Sequence, residues 1–265
     1  MKKTLLIAAA ALAVGMTSVQ AQGNVYSQNV VGYINVTVPA HGYFFLANQL
    51  VNGSDVNQTN NNVQAVLKSG FISDPNGVNN TVLYFWNGGG YNVYSYYTDI
   101  DAQNQFDPTY GDGWYDTGGS FANVNLVQGA GHFLYNPSST TVTNTLVGTV
   151  FQGTNVLSVV NGYNTYSFIS PTTTTNLVGF PGTSDPNGAN NDVLYLWNGN
   201  GYNVLSYYTD IDAQNQFDPT FGDGWYDTGG NFGSYNPSLW PKVGQGFFIH
   251  HTGSTKYWTN SFIVQ

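Results

Sequence analysis

Residues 73–119 and 184–230 of this 265-residue chain are identical at 41 of 47 positions. A match that close is a duplication, so whatever the first segment folds into, the second must fold into as well. Weaker correspondence continues on both sides, with Gly42-Tyr43 against Gly162-Tyr163 and Gly131-His132-Phe133 against Gly246-Phe247-Phe248. Each copy is then a module of ordinary domain size, with residues 22–150 forming the first and 151–265 the second. Two copies are too few for a solenoid, which needs at least three; a tandem pair or one pseudo-symmetric unit remain.

Within a copy the periodicity is that of strands. Val30, Ile34, Val36 and Val38 alternate with Tyr33, Asn35 and Thr37, one face buried and one wetter. "TVLYFWNGGGYNVYSYYTD" places two runs, Val82 to Trp86 and Tyr91 to Thr98, around a Gly-rich loop, and the second copy repeats it as "DVLYLWNGNGYNVLSYYTD". That is a hairpin pattern. Further strands are expected at 132–135, 141–147, 247–251 and 258–264, and a short helix where Val63, Val66 and Leu67 share a face. The fold class expected is all-β: two tandem homologous β-sandwich or barrel-like modules with little helix.

Residues 1–21 read as a bacterial secretory signal peptide: Lys2 and Lys3, an apolar run from Leu5 to Val14, and a small-residue cleavage site at Val19-Gln20-Ala21. No later stretch is apolar for long enough to span a membrane, so the mature chain is expected to lack a transmembrane segment and to be secreted or held at the cell surface. With no Cys, stability has to come from burial, and the 42 aromatic residues are the main reserve. Each buried ring removes roughly 150 to 250 Å² from water.

From residue 22 onward there are three Lys, no Arg, no Glu and fourteen Asp, a net charge of −11. Nucleic acid and anionic lipid are excluded as partners on that balance. Thirteen of the fourteen aspartates fall inside the two matched segments. Crowded carboxylates must be relieved by a counter-charge, by hydrogen bonds or by water, and a bound Ca²⁺ is one adequate answer. Asp99, Asp101, Gln103, Gln105 and Asp107 occupy alternate positions of a twelve-residue calcium loop, with Asp112 and Asp116 available to complete it. Asp210, Asp212, Gln214, Gln216 and Asp218, with Asp223 and Asp227, repeat the arrangement. Position 6 is Asn rather than Gly and position 12 is Tyr110 or Phe221 rather than Glu, which departs from an EF-hand. The other reading is solvated turns, favoured by Asp74-Pro75-Asn76-Gly77 and Asp112-Gly113.

Trp114 and Trp225, each flanked by Gly and Tyr in the aspartate-rich stretch, are the candidate platforms for a sugar ring, although anchoring of the loop is the role expected first. Nothing marks a catalytic centre. A glycosidase needs two carboxylates in separated environments, no Glu is present, and His41, His132, His250 and His251 have no histidine counterpart in the other copy. No nucleophile elbow, zinc-protease helix or phosphate loop occurs, and the chain is expected not to be an enzyme.

"SQNVVGYINVTVPAHGYFFLANQL", "VLYFWNGGGYNVYSYY" and "VQGAGHFLYNPSSTTVTNTLVGTV" together resemble secreted β-rich repeat modules of Verrucomicrobia and related bacteria. They are also similar to modules of exported Bacteroidetes proteins that run Gly-aromatic-x-Leu-x-Asn, Tyr-x-Trp, Gly-x-Gly-Phe-Phe. The positions carrying the resemblance are Gly42, Leu46, Asn48, Tyr84, Trp86, Gly129, Gly131 and Phe133, then Gly162, Tyr195, Trp197, Gly244, Gly246, Phe247 and Phe248. The aspartate-rich stretch departs from the shorter hairpin of those modules, and the second copy lacks the Leu-x-Asn element. The resemblance implies export and a β-rich module and is silent on activity. The expected function is a non-enzymatic structural or adhesive protein outside the cell, with extracellular glycans or surface proteins as partners. A calcium-dependent or aromatic-platform carbohydrate-binding protein is the alternative, and a glycoside hydrolase is third.

Overall fold

Short β-branched and aromatic runs separated by Gly and Asn turns become fifteen strands. The computed structural model describes residues 30–52, 61–68, 70–106, 110–171, 179–217, 222–233, 236 and 238–263. The signal-peptide region therefore lies outside the described residues. In the first half, β1 (Val31–Val38), β2 (Gly42–Leu46) and β3 (Leu50–Val51) precede a one-turn helix α1 (Val63–Val66). The hairpin β4 (Val82–Trp86) and β5 (Tyr91–Tyr97) follows, then α2 (Asp99–Gln105), β6 (Gly113–Asp116), β7 (His132–Asn136) and β8 (Val142–Val150). The second half runs β9 (Gly153–Val159), β10 (Gly162–Tyr166), β11 (Val193–Trp197), β12 (Tyr202–Tyr208), α3 (Asp210–Gln216), β13 (Gly224–Asp227), β14 (Phe247–His251) and β15 (Lys256–Phe262).

Among the described residues all pairing is antiparallel and no sheet closes into a barrel. The first half has a five-stranded sheet ordered β2-β7-β4-β5-β6 and a smaller one ordered β1-β8-β3; the second has β10-β14-β11-β12-β13 and the pair β15-β9. The fold is all-β of sandwich type. Alternation on β1 puts Ile34, Val36 and Val38 inward and Tyr33 out, and its register sets Ile34 against Leu146 of β8. On β4, Leu83 is buried on the inner face while Tyr84 and Trp86 point to the other. In the second half the inner face collects Leu194, Leu196, Trp225, Phe247 and Trp258. At about 25 cal/mol per Å² of apolar surface, such rings supply the core that the absence of disulfides requires.

The expected helix after Asn62 is present, with the Asn62 carboxamide accepting from the Gln64 N–H. The segment expected as an alternating calcium loop is instead helical in both halves. Thr98 and Thr209 cap α2 and α3, each hydroxyl accepting from the N–H three residues on, and Asp99, Asp101, Asp210 and Asp212 sit in the first turns where the helix dipole favours carboxylates. Thr-x-x-Asp before Ala and Gln is a helix start. It resembles a calcium loop only if read with a period of two.

Residues 31–265 form a single compact unit, and the joint between the halves is reciprocal. The Ala47 N–H donates to the Gly244 carbonyl at 2.8 Å and the Gly246 N–H to the Phe45 carbonyl at 2.9 Å; from the other side the Ser167 N–H donates to the Gly129 carbonyl at 2.9 Å. Gly131 and Gly246 meet at the centre, where a Cβ on Gly246 would lie 2.8 Å from the Gly131 Cα. Only glycine permits so close an approach of two backbones.

Candidate functional site

The described carboxylates named from the sequence are each hydrogen-bonded within their own half. The Asp101 carboxylate accepts from the hydroxyls of Ser73 and, at 2.8 Å, Thr98, and Asp212 accepts from Ser184 and, at 2.7 Å, Thr209. Asp112 and Asp223 each accept an N–H, from Asp99 and Asp210, at 2.5 Å. Gln103 and Gln214 donate to Asp99 and Asp210 one helical turn away, at 2.8 and 3.0 Å. Asp116 and Asp227 close turns, accepting from the N–H groups of Gly118 and Ser120 and of Gly229 and Asn231. Burial works against the Asp227 charge, but the bonds from Asn231 and Gly229 outweigh it and hold its carboxyl below the usual range. Asp107 and Asp218 lie outside the described residues. Successive alternate residues on a helix point about 200° apart, so Asp99, Asp101 and Gln103 cannot converge on one ion. Among the described residues no group of three or more His, Asp, Cys or Glu side chains could hold a metal.

Trp114 and Trp225 are not platforms. Both are 0% exposed, and their indole N–H groups donate to the carbonyls of Leu67 at 2.9 Å and Phe180 at 3.2 Å. Phe71 and Tyr96 pack on one, and Phe180 and Tyr207 on the other. With no face open to solvent they cannot stack on a pyranose, and they act as the anchors of β6 and β13.

A cluster of exposed and half-buried rings lies elsewhere, on the outer faces of the two five-stranded sheets. Tyr43, Tyr84, Tyr91 and Phe133 of the first half, with Trp197 of the second, line a groove of about 290 Å³. Phe133 and Trp197 meet edge to face with centroids 5.3 Å apart, and Tyr43 lies 6.2 Å from Tyr84. The corresponding rings of the second half are Tyr163, Tyr195, Tyr202 and Phe248, and the indole that reaches them is Trp86, 5.5 Å from Phe248. Each tryptophan crosses to the other half and is pinned there: Trp197 Nε1 donates to the Tyr43 carbonyl at 3.1 Å, and Trp86 Nε1 to the Tyr163 carbonyl at 2.7 Å. Phe45, Phe133 and Phe248 form the buried floor beneath. Tyr43, Tyr91, Tyr163 and Tyr202 remain exposed.

Burial, with Tyr43 alongside, pushes the Tyr84 phenol up to about 12. Burial, with Tyr91 nearby, does the same for Tyr202, also to about 12, and burial raises Tyr91 and Tyr195. These hydroxyls therefore stay protonated at neutral pH, so each is a donor as well as an acceptor. Flat apolar rings rimmed by neutral hydroxyls suit a ligand with an apolar face and hydroxylated edges. Sequence reasoning assigned these rings to the module pattern rather than to a site. The available signal was Tyr-x-Trp before a Gly-rich turn, Tyr84-x-Trp86 and Tyr195-x-Trp197, retained in both copies on the non-core face of a strand.

Two histidines are buried. His251 Nδ1 lies 2.6 Å from an Asp192 oxygen, with both side chains 0% exposed. Its Nε2 lies 2.8 Å from the Ser254 carbonyl, which can only accept, so Nε2 carries hydrogen and is not free to take a proton from a nucleophile. His132 packs on Phe85, ring centroids 4.0 Å apart, with no partner for either ring nitrogen. Burial pushes its pKa down to about 3.

No family model, curated protein or solved structure matches this chain. Among the described residues no helix is long and apolar enough to cross a membrane.

Proposed function

We propose that this is a non-enzymatic adhesive protein working outside the cell, and that it grips carbohydrate on the aromatic face built between its two halves. The reading is carried by one observation: each set of exposed tyrosines is completed by a tryptophan from the other half, held by a hydrogen bond to the backbone of the half that carries the tyrosines. Such rings are fixed before a ligand arrives, which lowers the ordering cost of binding. The five lining side chains of the first groove include no carboxylate, which weighs against glycoside hydrolysis, where two are needed. The signal-peptide pattern supports the extracellular setting.

Titration of neutral oligosaccharides against intrinsic tryptophan fluorescence tests the reading, since Trp197 lines the groove. Tyr91→Ala is expected to weaken binding about tenfold, the equivalent of about 1.4 kcal/mol, with an unaltered melting temperature because the ring is 39% exposed. Unchanged affinity in Tyr91→Ala and Tyr43→Ala would remove the groove from consideration.

A further inference from the structure

The groove does not end at its five rings. Tyr43 and Trp197 also line a second cleft of about 270 Å³, continued by Asn198, Ser238, Trp240 and Lys242. We propose that this cleft, which shares Tyr43 and Trp197 with the groove, takes an acidic polysaccharide, a uronate chain, with one sugar ring against Tyr43 and Trp197 and its carboxylate at the Lys242 ammonium; this rests on the carbohydrate reading above. Three features of the chain carry it. Lys242 is the one charged side chain among the residues lining either cavity. It is exposed and makes no ion pair with a described carboxylate. It also stands out in a chain of net charge −9 with five basic residues in all, so a sparsely charged chain whose carboxylate meets this one ammonium is favoured over densely charged phosphate polymers.

The other half supplies an internal control. The turn before β14, where the Gln245 N–H donates to the Lys242 carbonyl at 2.9 Å, is repeated before β7, where the Ala130 N–H donates to the Val127 carbonyl at 3.2 Å. Val127 therefore stands where Lys242 does, 45% exposed and uncharged. The equivalent turns thus differ in charge, one carrying a cation and the other an apolar side chain.

Calorimetric titration of the mature chain with oligogalacturonate and with its fully methyl-esterified form, a neutral chain of the same backbone, decides the matter. At low salt the acid should bind about fivefold more tightly than the ester, the scale of an exposed ion pair, and the preference should shrink as salt screens it. Lys242→Gln should bring the ratio of the two affinities to about one. Equal affinity of acid and ester in the parent chain, or a preference that survives Lys242→Gln, overturns the uronate assignment and leaves the aromatic groove standing. If neither oligosaccharide, nor any neutral one, binds at millimolar concentration, both readings fall.

Discussion

Where the first half places Thr81 and Asn136, the second half buries Asp192 and His251. Thr81 and Asp192 immediately precede β4 and β11, Asn136 and His251 end β7 and β14, the strands concerned have the same neighbours and the same antiparallel pairing, and the residues do the same jobs. The Thr81 hydroxyl accepts the Ile72 N–H at 2.9 Å, as the Asp192 carboxylate accepts the Thr183 N–H at 2.7 Å. Asn136 Nδ2 donates to the Thr140 carbonyl at 2.8 Å, as His251 Nε2 meets the Ser254 carbonyl. The second half's version adds the His251 to Asp192 contact, and it also draws the Thr252 N–H onto Asp192 at 2.8 Å. A matched backbone can thus be stapled by neutral or by charged groups, and the charged staple is the more vulnerable to loss of one member. Replacing a buried ion pair as a unit is often neutral, whereas removing one partner strands the other.

That contrast can be broken most directly at Asp192. Asp192→Ala leaves His251 Nδ1, the Thr183 N–H and the Thr252 N–H without their acceptor and should cost about 3–5 kcal/mol in urea unfolding. Transplanting the first half's pair, Asp192→Thr with His251→Asn, should recover most of that loss. A double variant as unstable as the single one would show that the halves are not interchangeable here.

A smaller effect of opposite sign is expected at His132, which occupies the place that Phe247 fills in the second half. Both its ring nitrogens are buried without partners, so His132→Phe should stabilise the protein by about 1–3 kcal/mol. The acid response should change with it. Below pH 6.5 the unfolded chain binds a proton on this imidazole that the folded chain refuses until pH falls to about 3, so stability falls as pH drops through that window. Comparing unfolding midpoints at pH 7 and pH 4 should find a smaller drop in His132→Phe than in the parent chain.

The smallest effect should be the same in both halves. Thr98→Ala and Thr209→Ala each remove a helix cap and should each cost about 1 kcal/mol, matching one another because the capped segments are identical in sequence and in hydrogen bonding. A clear inequality in calorimetric stability would mean that the surroundings of α2 and α3 matter more than the local sequence.

Much of the sandwich was legible. The period-two run of β1, the hairpin of β4 and β5 and the short helix behind Asn62 all rest on local rules, and the strands form within a few residues of the expected places. The aspartate-rich stretch was misread because carboxylates at alternate positions suggest convergent ligands only on an extended loop. Thr98 and Ala102 make it a helix and turn those side chains apart. Of the two readings of the tryptophans, anchoring holds and the sugar platform falls. Gly113 and Asp116 around Trp114 suggest a loop, yet β6 pairs with β5 and swings the indole beneath the sheet.

The amino-acid order by itself determined which segments are strands, where they turn, and that two stretches share one local structure, because those properties depend on residues within a turn or two of each other. Which rings meet water was decided only by the tertiary structure. Alternation assigns Tyr84 and Trp86 to the face opposite Leu83 but says nothing of what covers it. That face meets the other half through the Gly131 to Gly246 contact and the exchanged indoles, between residues 77 to 154 positions apart.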